Sequence, residues 1–167
     1  MLRAIMIGIV MVQGPRLSVA DAGSITRLVA ATVIPDSGRI AQRPVHGRTI
    51  LFDAARTSGA FGGVASGVTP EAVALNRPVV RMPRAEAIRC NAAGRNCAVQ
   101  QDGIFFSIDT VDHVGARSGE LRVVASVNYT NHVRGGRTSV IGADVALYVA
   151  LINYKWTFVR YGSAATG

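Results

Sequence analysis

Charged residues are scarce in this chain: they make up 17% of its 167 residues, against about 25% in an average soluble protein. Lysine is nearly absent, since Lys155 is the only one among 18 basic residues. Two cysteines and six prolines exclude a disulfide-dense miniprotein and a collagen-like or proline-rich chain. The apolar share of 49% and the length suffice instead for one domain with a core that excludes water.

Several catalytic and cofactor motifs are absent as well. The nucleophile pattern Gly-x-Ser-x-Gly does not occur, and the glycine-rich residues 59–67 fit neither the dinucleotide-binding nor the phosphate-loop pattern. His46, His113 and His132 are scattered, and they do not combine with two cysteines into the spacing of a metal site. We therefore expect neither a metal nor a cofactor.

The first 22 residues have the three parts of a secretory signal peptide. Arg3 supplies positive charge, residues 4–12 form an apolar run, and Ala20-Asp21-Ala22 is a small-residue cleavage pattern. We expect cleavage after Ala22, which leaves a domain of residues 23–167 in a secreted or periplasmic compartment; the near absence of lysine is typical of a high-GC bacterial source. The alternatives are an uncleaved amphipathic or anchoring segment and a buried element of the fold. Nine apolar residues are about half of a membrane span, which makes a permanent anchor the weaker alternative.

Export would place Cys90 and Cys97 where thiols oxidise. The six residues between them are polar and contain a glycine, a composition typical of a hairpin loop. We therefore predict a disulfide that closes this loop. A redox pair and half of a metal site are the alternatives, but the first favours Cys-x-x-Cys and the second needs further ligands at close spacing.

Helical signals are confined to the first half of the chain, and strand signals dominate the second. Helices are predicted over residues 24–33, capped by Ser24, and 69–75, with a short buried strand over 49–52 between them. Residues 131–142 contain three glycines and predict a long loop. Strands are predicted over residues 87–90, 97–100, 104–111, 121–129, 143–151 and 156–161. This order predicts an α+β domain, with short N-terminal helices packed on a curved antiparallel sheet of five or six strands.

The segment from Cys90 to Tyr161 contains Cys97-Ala-Val-x-x-Asp-Gly-Ile and ends in a hairpin with Trp156-x-Phe-Val-Arg160. In these features it resembles small exported bacterial proteins of unassigned function, whose C-terminal sheet is similar to the nuclear-transport-factor-like or cystatin-like cone folds. The resemblance implies a cone-shaped sheet, and the enzymes among such folds keep a catalytic Asp or His inside the concavity. It assigns no catalytic position in this chain.

Asp109, Asp112 and His113 are the densest group of titratable residues. Asp109 and Val111 are expected to share one face of a strand, with Asp112 and His113 in the turn that follows. A buried carboxylate pair beside a histidine could act as general acid and base. The alternative is a solvated strand end without catalytic function.

Basic residues are the one surplus in the composition, with a formal net charge of +8. One run of them has a single acid inside it and is a candidate anion-binding surface, because the planar guanidinium group binds two oxygens of a phosphate or carboxylate at once. The alternative is a solvated basic face dispersed over the molecule. The run consists of Arg77, Arg81, Arg84, Arg89 and Arg95.

The sequence thus favours an exported, noncatalytic binding or assembly domain, whose partner would be an anionic polymer or an envelope surface. A pocket enzyme of the cone type that uses Asp109, Asp112 or His113 is the first alternative. The second is a structural subunit that associates with itself through edge strands, because the C-terminal hairpin is apolar and low in charge.

Overall fold

The structure, a computed structural model, describes residues 17–35, 39–40, 43–63, 68–94, 96–115, 119–133 and 135–163. The chain forms helices and short strands first and long strands afterwards, as an α+β domain. The elements are α1 (Val19–Val33), β1 (Arg39–Ile40), β2 (Arg43–Pro44), β3 (Ile50–Phe52), α2 (Ala54–Ala60), α3 (Pro70–Val73), β4 (Val79–Arg81), α4 (Arg84–Ala87), β5 (Ile88–Cys90), β6 (Cys97–Val99), β7 (Ile104–His113), β8 (Glu120–Val133), β9 (Arg137–Ile152) and β10 (Lys155–Tyr161).

Helix α1 begins earlier than the sequence predicted. Ser18 is its N-cap, and a capping box joins Ser18 and Asp21: each side chain bonds to the backbone N–H of the other residue. The predicted cap at Ser24 is therefore wrong, while the end at Val33 is confirmed. The cleavage point expected after Ala22 lies inside this helix, where Ala22 is completely buried. Most of the predicted signal peptide, residues 1–16, lies outside the described residues.

The first turn of α1 is also bound to the last hairpin. The indole Nε1 of Trp156 donates a hydrogen bond of 2.9 Å to Asp21 Oδ1. Hydrogen bonds from Ser18, and then from Trp156, hold the pKa of Asp21 below its ordinary value of 3.8. Because the folded state lowers this pKa, the resulting stability is present above the unfolded pKa and is lost as the pH falls through the folded one.

Asp21→Asn is therefore expected to lower the free energy of unfolding by about 1 kcal/mol at pH 7, because it removes the charge from the helix N-terminus and weakens the capping box. The difference from the parent should shrink as the pH falls below the ordinary pKa of 3.8 and towards the lower folded-state pKa of Asp21. Urea unfolding at several pH values measures this. Asp112→Asn is the matched control, since Asp112 is exposed and its contact with Arg122 is 3.9 Å long; a difference of equal size there would contradict the assignment.

Six strands form one mostly antiparallel sheet in the order β10-β9-β8-β7-β3-β4. Strands β7 to β10 form an antiparallel meander. Strand β3 pairs in parallel with both β7 and β4, which the sequence did not predict. The reason is topological, because a parallel pair requires a crossover connection, and the chain between β3 and β4 supplies one that contains α2 and α3.

The two faces of this sheet have different surroundings. We call the face that packs with α1 the inner face: Ile25 and Val29 of α1 share one apolar cluster with Ile108, Val123 and Leu147 of the sheet, and all five are completely buried. The opposite face is called the outer face. A smaller apolar cluster there contains Leu51, Ala87, Val99 and Phe105.

Strands β8 and β9 form a long hairpin that replaces a predicted loop. Their pairing continues to Val133 and Arg137, so the loop expected over residues 131–142 is wrong. Gly135 and Gly136 near the turn have φ angles of 86° and 73°, which glycine adopts without steric cost. Two of the three glycines therefore belong to a tight turn, and the strands on either side extend further than their composition predicted.

The predicted disulfide between Cys90 and Cys97 is confirmed. The two residues are cross-strand partners in the β5–β6 hairpin. Disulfides are typical of oxidising compartments. Within the described residues, no helix combines the length and apolar content that crossing a bilayer requires.

Candidate functional site

A row of polar side chains crosses the outer face of the sheet. Ser107 on β7, Ser126 on β8 and Asp144 on β9 are directly opposite one another in the strand register. Because side chains alternate between the faces of a strand, this row lies opposite the apolar residues Ala125 and Val127, which belong to the inner-face cluster.

A β-bulge adds Asp109 to this row. The register of β7 against β8 shifts between Ile108 and Thr110, and such a bulge places one extra residue on one strand and redirects its side chain. The hydroxyl of Ser107 donates to Asp109 Oδ1 over 2.8 Å. Val111 instead packs against the inner-face cluster. The expectation that Asp109 and Val111 share a face is therefore wrong.

Ser126 lies between two carboxyl groups. Its Oγ is 2.6 Å from Asp109 Oδ2 and 2.5 Å from Asp144 Oδ1. A serine hydroxyl carries one hydrogen and can donate to only one of them. Its single hydrogen therefore bonds to one carboxyl oxygen at a time, and the other carboxyl oxygen then lacks this donor. The cluster of Asp109, Ser126 and Asp144 is thus a place where one hydrogen is shared among three side chains.

Arg56 neutralises one of the two acids. It lies on α2, whose N-cap Asp53 accepts a hydrogen bond from the Arg56 backbone N–H. The Arg56 side chain donates through Nε to Asp109 Oδ1 over 2.5 Å. Among the described residues, no cation forms an ion pair with Asp144. Asp144 is also exposed, so its carboxyl group is the member of the cluster that solvent and solutes reach.

A groove of about 890 Å³ opens beside this cluster. It lies between the disulfide hairpin and the paired strands β8 and β9. Among its described lining residues, Arg84 and Asp144 are charged and have opposite sign. The Arg84 guanidinium carbon lies 5.5 Å from the centroid of the Phe105 ring, a cation–π contact that holds the charge in place. The lining residues are Arg84, Ala85, Ile88, Gly94, Cys97, Asn128, Ser139, Val140, Gly142, Ala143 and Asp144.

Asn128 lines the same groove and is 6% exposed. Its side chain lies over Gly142, its partner on β9, where a Cβ atom would be 1.7 Å from Asn128 Nδ2. The amide nitrogen donates to the Val127 carbonyl over 2.9 Å, but Oδ1 has no hydrogen-bond partner among the residues that the structure describes. A buried polar atom without a partner costs about 1–3 kcal/mol, so this residue is held in the groove wall at a cost to stability.

Because Ser126 has one hydrogen for two carboxyl groups, we expect opposite effects on stability from two substitutions in the cluster. Ser126→Ala leaves Asp109 Oδ2 and Asp144 Oδ1 without their common donor, and we expect a loss of about 1–3 kcal/mol in the free energy of unfolding. Asp144→Asn supplies an amide that donates to Ser126 while Ser126 donates to Asp109, so this variant should be at least as stable as the parent. Urea unfolding of both variants measures these free energies. Equal losses in the two variants would contradict the shared hydrogen.

The structure separates the three titratable residues that the sequence grouped. Asp109 belongs to the cluster, but Asp112 and His113 are exposed near the end of β7. Neither lies in a turn, because β7 continues through His113. Asp112 faces Arg122 across the ladder, and their charged atoms are 3.9 Å apart.

The candidate anion-binding arginines that the structure describes have different surroundings. Arg77 is 8% exposed and donates to the carbonyl oxygens of Val45 and Pro35, as a structural residue does. Arg84 lines the groove, whereas Arg81 lines a separate pocket beside α2. Arg89 is exposed on β5, and Arg95 lies outside the described residues.

Five residues of the site were not predicted from the sequence: Asp53, Arg56, Ser126, Asn128 and Asp144. Asp53 joins the site through backbone contacts, since its carboxylate accepts from Arg56 N and from Arg84 N and so fixes the starts of α2 and α4. A signal was present for two of the others: Ser126 and Asn128 alternate with apolar residues along β8 and mark a polar outer face.

In the part of the chain that the structure describes, no three His, Cys, Asp or Glu side chains lie together as metal ligands would. No protein-family model, curated protein or solved structure matches the chain significantly. The geometry of the groove is therefore the basis for any functional assignment.

Proposed function

We propose that the protein is an exported, noncatalytic binding domain whose ligand occupies the groove lined by Arg84, Asn128 and Asp144. The ligand class is a small polar molecule that carries both an anionic group and hydrogen-bond donors, such as a sugar acid or an amino acid. The observation that carries the proposal is the pairing of opposite charges in one groove. Arg84 presents donors to an anion, and Asp144 presents acceptors to hydroxyl or ammonium groups.

Asn128 supports a ligand at this position. A buried amide oxygen without a partner is unusual in a folded protein. A donor from a ligand in the groove, reaching it after a small side-chain rotation, would remove that cost. The apolar residues Ile88, Val140 and Ala143 complete a wall against which the carbon skeleton of a ligand can pack.

Three further properties fit export to a bacterial periplasm or cell surface. The disulfide is stable where thiols oxidise, the residues before Ser18 contain the apolar run of the predicted signal peptide, and the chain is strongly basic. A curved sheet belongs to the same proposal, and the bulges in β7 and β10 support it, because bulges bend the strands that contain them.

Isothermal titration calorimetry with four probes tests the ligand class. Sodium glucuronate and sodium glutamate carry both an anionic group and donors, whereas glucose lacks the anion and acetate lacks the donors. We expect the first two to bind at least tenfold more tightly than the last two. Arg84→Gln should reduce glucuronate affinity about tenfold and leave glucose unaffected, because it removes only the charge-assisted contact.

Arg89→Gln is the matched control, since Arg89 is an exposed arginine that does not line the groove. It should leave all four affinities unchanged. Failure of glucuronate and glutamate to bind more tightly than acetate would overturn the proposed ligand class. An equal loss in Arg84→Gln and Arg89→Gln would mean that anions bind to the basic surface in general rather than in the groove.

Acid–base catalysis is the second candidate function, and the shared hydrogen of Ser126 favours it. The participants would be Asp109, Ser126 and Asp144, with Asp144 nearest to the ligand. Proton NMR of the bound probe distinguishes the two functions. A probe spectrum that stays unchanged for a day supports binding alone, whereas product signals that disappear in Asp144→Asn would support catalysis.

Self-association through an edge strand is the third candidate. Strand β10 is an edge of the sheet and contains exposed Val159 and Tyr161. A bulge between Phe158 and Arg160 interrupts its regular pairing, a feature that protects natural sheet edges from joining other chains. Light scattering at high concentration is the test, and we expect a monomer.

A further inference from the structure

The turn between β9 and β10 is the most exposed apolar part of the described chain. Leu151 and Ile152 are each 50% exposed, and Tyr154 is 100% exposed. We call residues 151–155 the hairpin tip. Exposed apolar residues are ordinary when single, but here three of them lie within four positions at one turn. The tip also ends in Lys155, the only lysine of the chain.

The backbone of the tip is unfavourable for a tyrosine. Asn153 and Tyr154 have φ angles of 50° and 59°, as a tight hairpin turn requires at both central positions. Asparagine tolerates this conformation and glycine is the usual second residue, whereas a bulky aromatic side chain there is uncommon. Tyr154 therefore keeps a large exposed ring at a place where a smaller residue would fold more easily, which points to a role outside folding.

The hairpin tip lies beside the start of α1. Trp156 follows the tip and donates to Asp21 in the first turn of that helix. A groove of about 520 Å³ between the two elements is lined by Arg27 and Leu28 of α1 and by Tyr154, Lys155 and Trp156. Two cations and two aromatic rings thus surround one end of the domain, and Asp21, the acid among the lining residues, is bound to Ser18 and Trp156.

We infer that the hairpin tip docks on the surface of a membrane that contains anionic lipids. Tyr154, Ile152 and Leu151 enter the interfacial region, where amphipathic aromatic rings are favoured. Arg27 and Lys155 contact lipid phosphates, and each basic residue near an anionic surface contributes measurably to attraction. The chemistry favours an anionic membrane over a protein groove, because Arg27 and Lys155 line the groove beside the exposed Tyr154 and bring positive charge next to apolar surface. The inference does not depend on the ligand groove, which is lined by other residues.

Flotation of the full chain with phosphatidylglycerol–phosphatidylcholine vesicles tests this, with pure phosphatidylcholine vesicles for comparison. We expect binding to the anionic vesicles that falls at least tenfold in the double variant Ile152→Ser, Tyr154→Ser. Lys155→Glu should reduce it about fivefold or more by reversing one charge. Calorimetric melting of each variant checks that the domain remains folded.

Val133→Ser combined with Ile141→Ser is the matched control, because these residues are 46% and 40% exposed and lie away from the tip on β8 and β9. It should bind like the parent. Unchanged binding in the tip variant would overturn the inference. A dimer in light scattering that the tip variant abolishes, without vesicle binding, would show that the tip joins two copies of this chain.

Discussion

Gly142→Ala should be strongly destabilising, by about 3 kcal/mol in the free energy of unfolding. A Cβ atom at this position would be 1.7 Å from Asn128 Nδ2 and 2.6 Å from the Val127 carbonyl oxygen. Asn128 could rotate away, but the carbonyl belongs to the backbone of β8 and can move only with the strand. The substitution therefore disturbs both the β8–β9 ladder and the groove wall that Asn128 forms. Urea unfolding of the variant measures the loss.

Two variants make this result specific. Gly23→Ala is the control, because a Cβ atom at Gly23 meets nothing within 4 Å and alanine in a helix is more stable than glycine by about 0.5–1 kcal/mol. It should stabilise the protein. Combining Gly142→Ala with Asn128→Ala should recover only part of the loss, since the contact with Val127 remains. A Gly142→Ala variant as stable as the parent would show that Asn128 does not lie over Gly142.

Removing the disulfide has the second largest expected effect. The bond joins residues seven apart in sequence, and closure of so short a loop stabilises a fold by about 2.5 kcal/mol through the unfolded state. The double variant Cys90→Ser, Cys97→Ser should lose about this much. It should also bind glucuronate less tightly, because Gly94 and Cys97 line the groove and the β5–β6 hairpin forms one of its walls.

Reductant separates this effect from the cost of the serine side chains. Adding dithiothreitol to the parent should lower its stability to that of the double variant, and the double variant itself should not respond. A parent protein that is insensitive to reductant would mean either that the thiols are free or that the hairpin is held by its strand pairing alone. Titration of free thiols in the unfolded protein decides between these explanations.

The strands of the second half were predictable because their composition and alternation are local properties. Strand β10 was expected over residues 156–161 and is Lys155–Tyr161, and all six predicted strands occur. Their ends were less predictable. Residues 131–133 and 137–142 extend β8 and β9 because each has a partner on the other strand, and that partner is not visible in a local pattern.

At the start of α1, a helix capping box and a signal-peptide cleavage pattern overlap in the same residues. Ser18-Val-Ala-Asp21 has the spacing of a capping box, but the same residues adjoin a small-residue cleavage pattern and were assigned to a signal peptide. In the folded chain the side chains of Ser18 and Asp21 make the capping contacts. The same residues fit both a capping box and a cleavage pattern, so the sequence alone does not distinguish the two. The contact of Asp21 with Trp156 shows that they belong to the folded helix.

The site was predictable only in part. Asp109 was recognised as a candidate, but the side to which it points depends on a bulge, and its partners Ser126 and Asp144 depend on the strand register. Arg84 was recognised within a basic run, yet its distinction from Arg77 and Arg89 arises from burial and from the position of α4. The residues of this groove come from distant parts of the chain, so their sequence spacing carries no signal of their proximity.

Mapping of backbone amide chemical shifts during a glucuronate titration tests the binding groove most directly. We expect saturable shifts at five residues that line the groove: Gly94, Cys97, Asn128, Gly142 and Asp144. Arg84→Gln should weaken them, and Arg89→Gln should leave them unchanged. Shifts that occur mainly around exposed arginines such as Arg89, or an absence of saturable shifts in the groove, would contradict binding of the ligand in this groove.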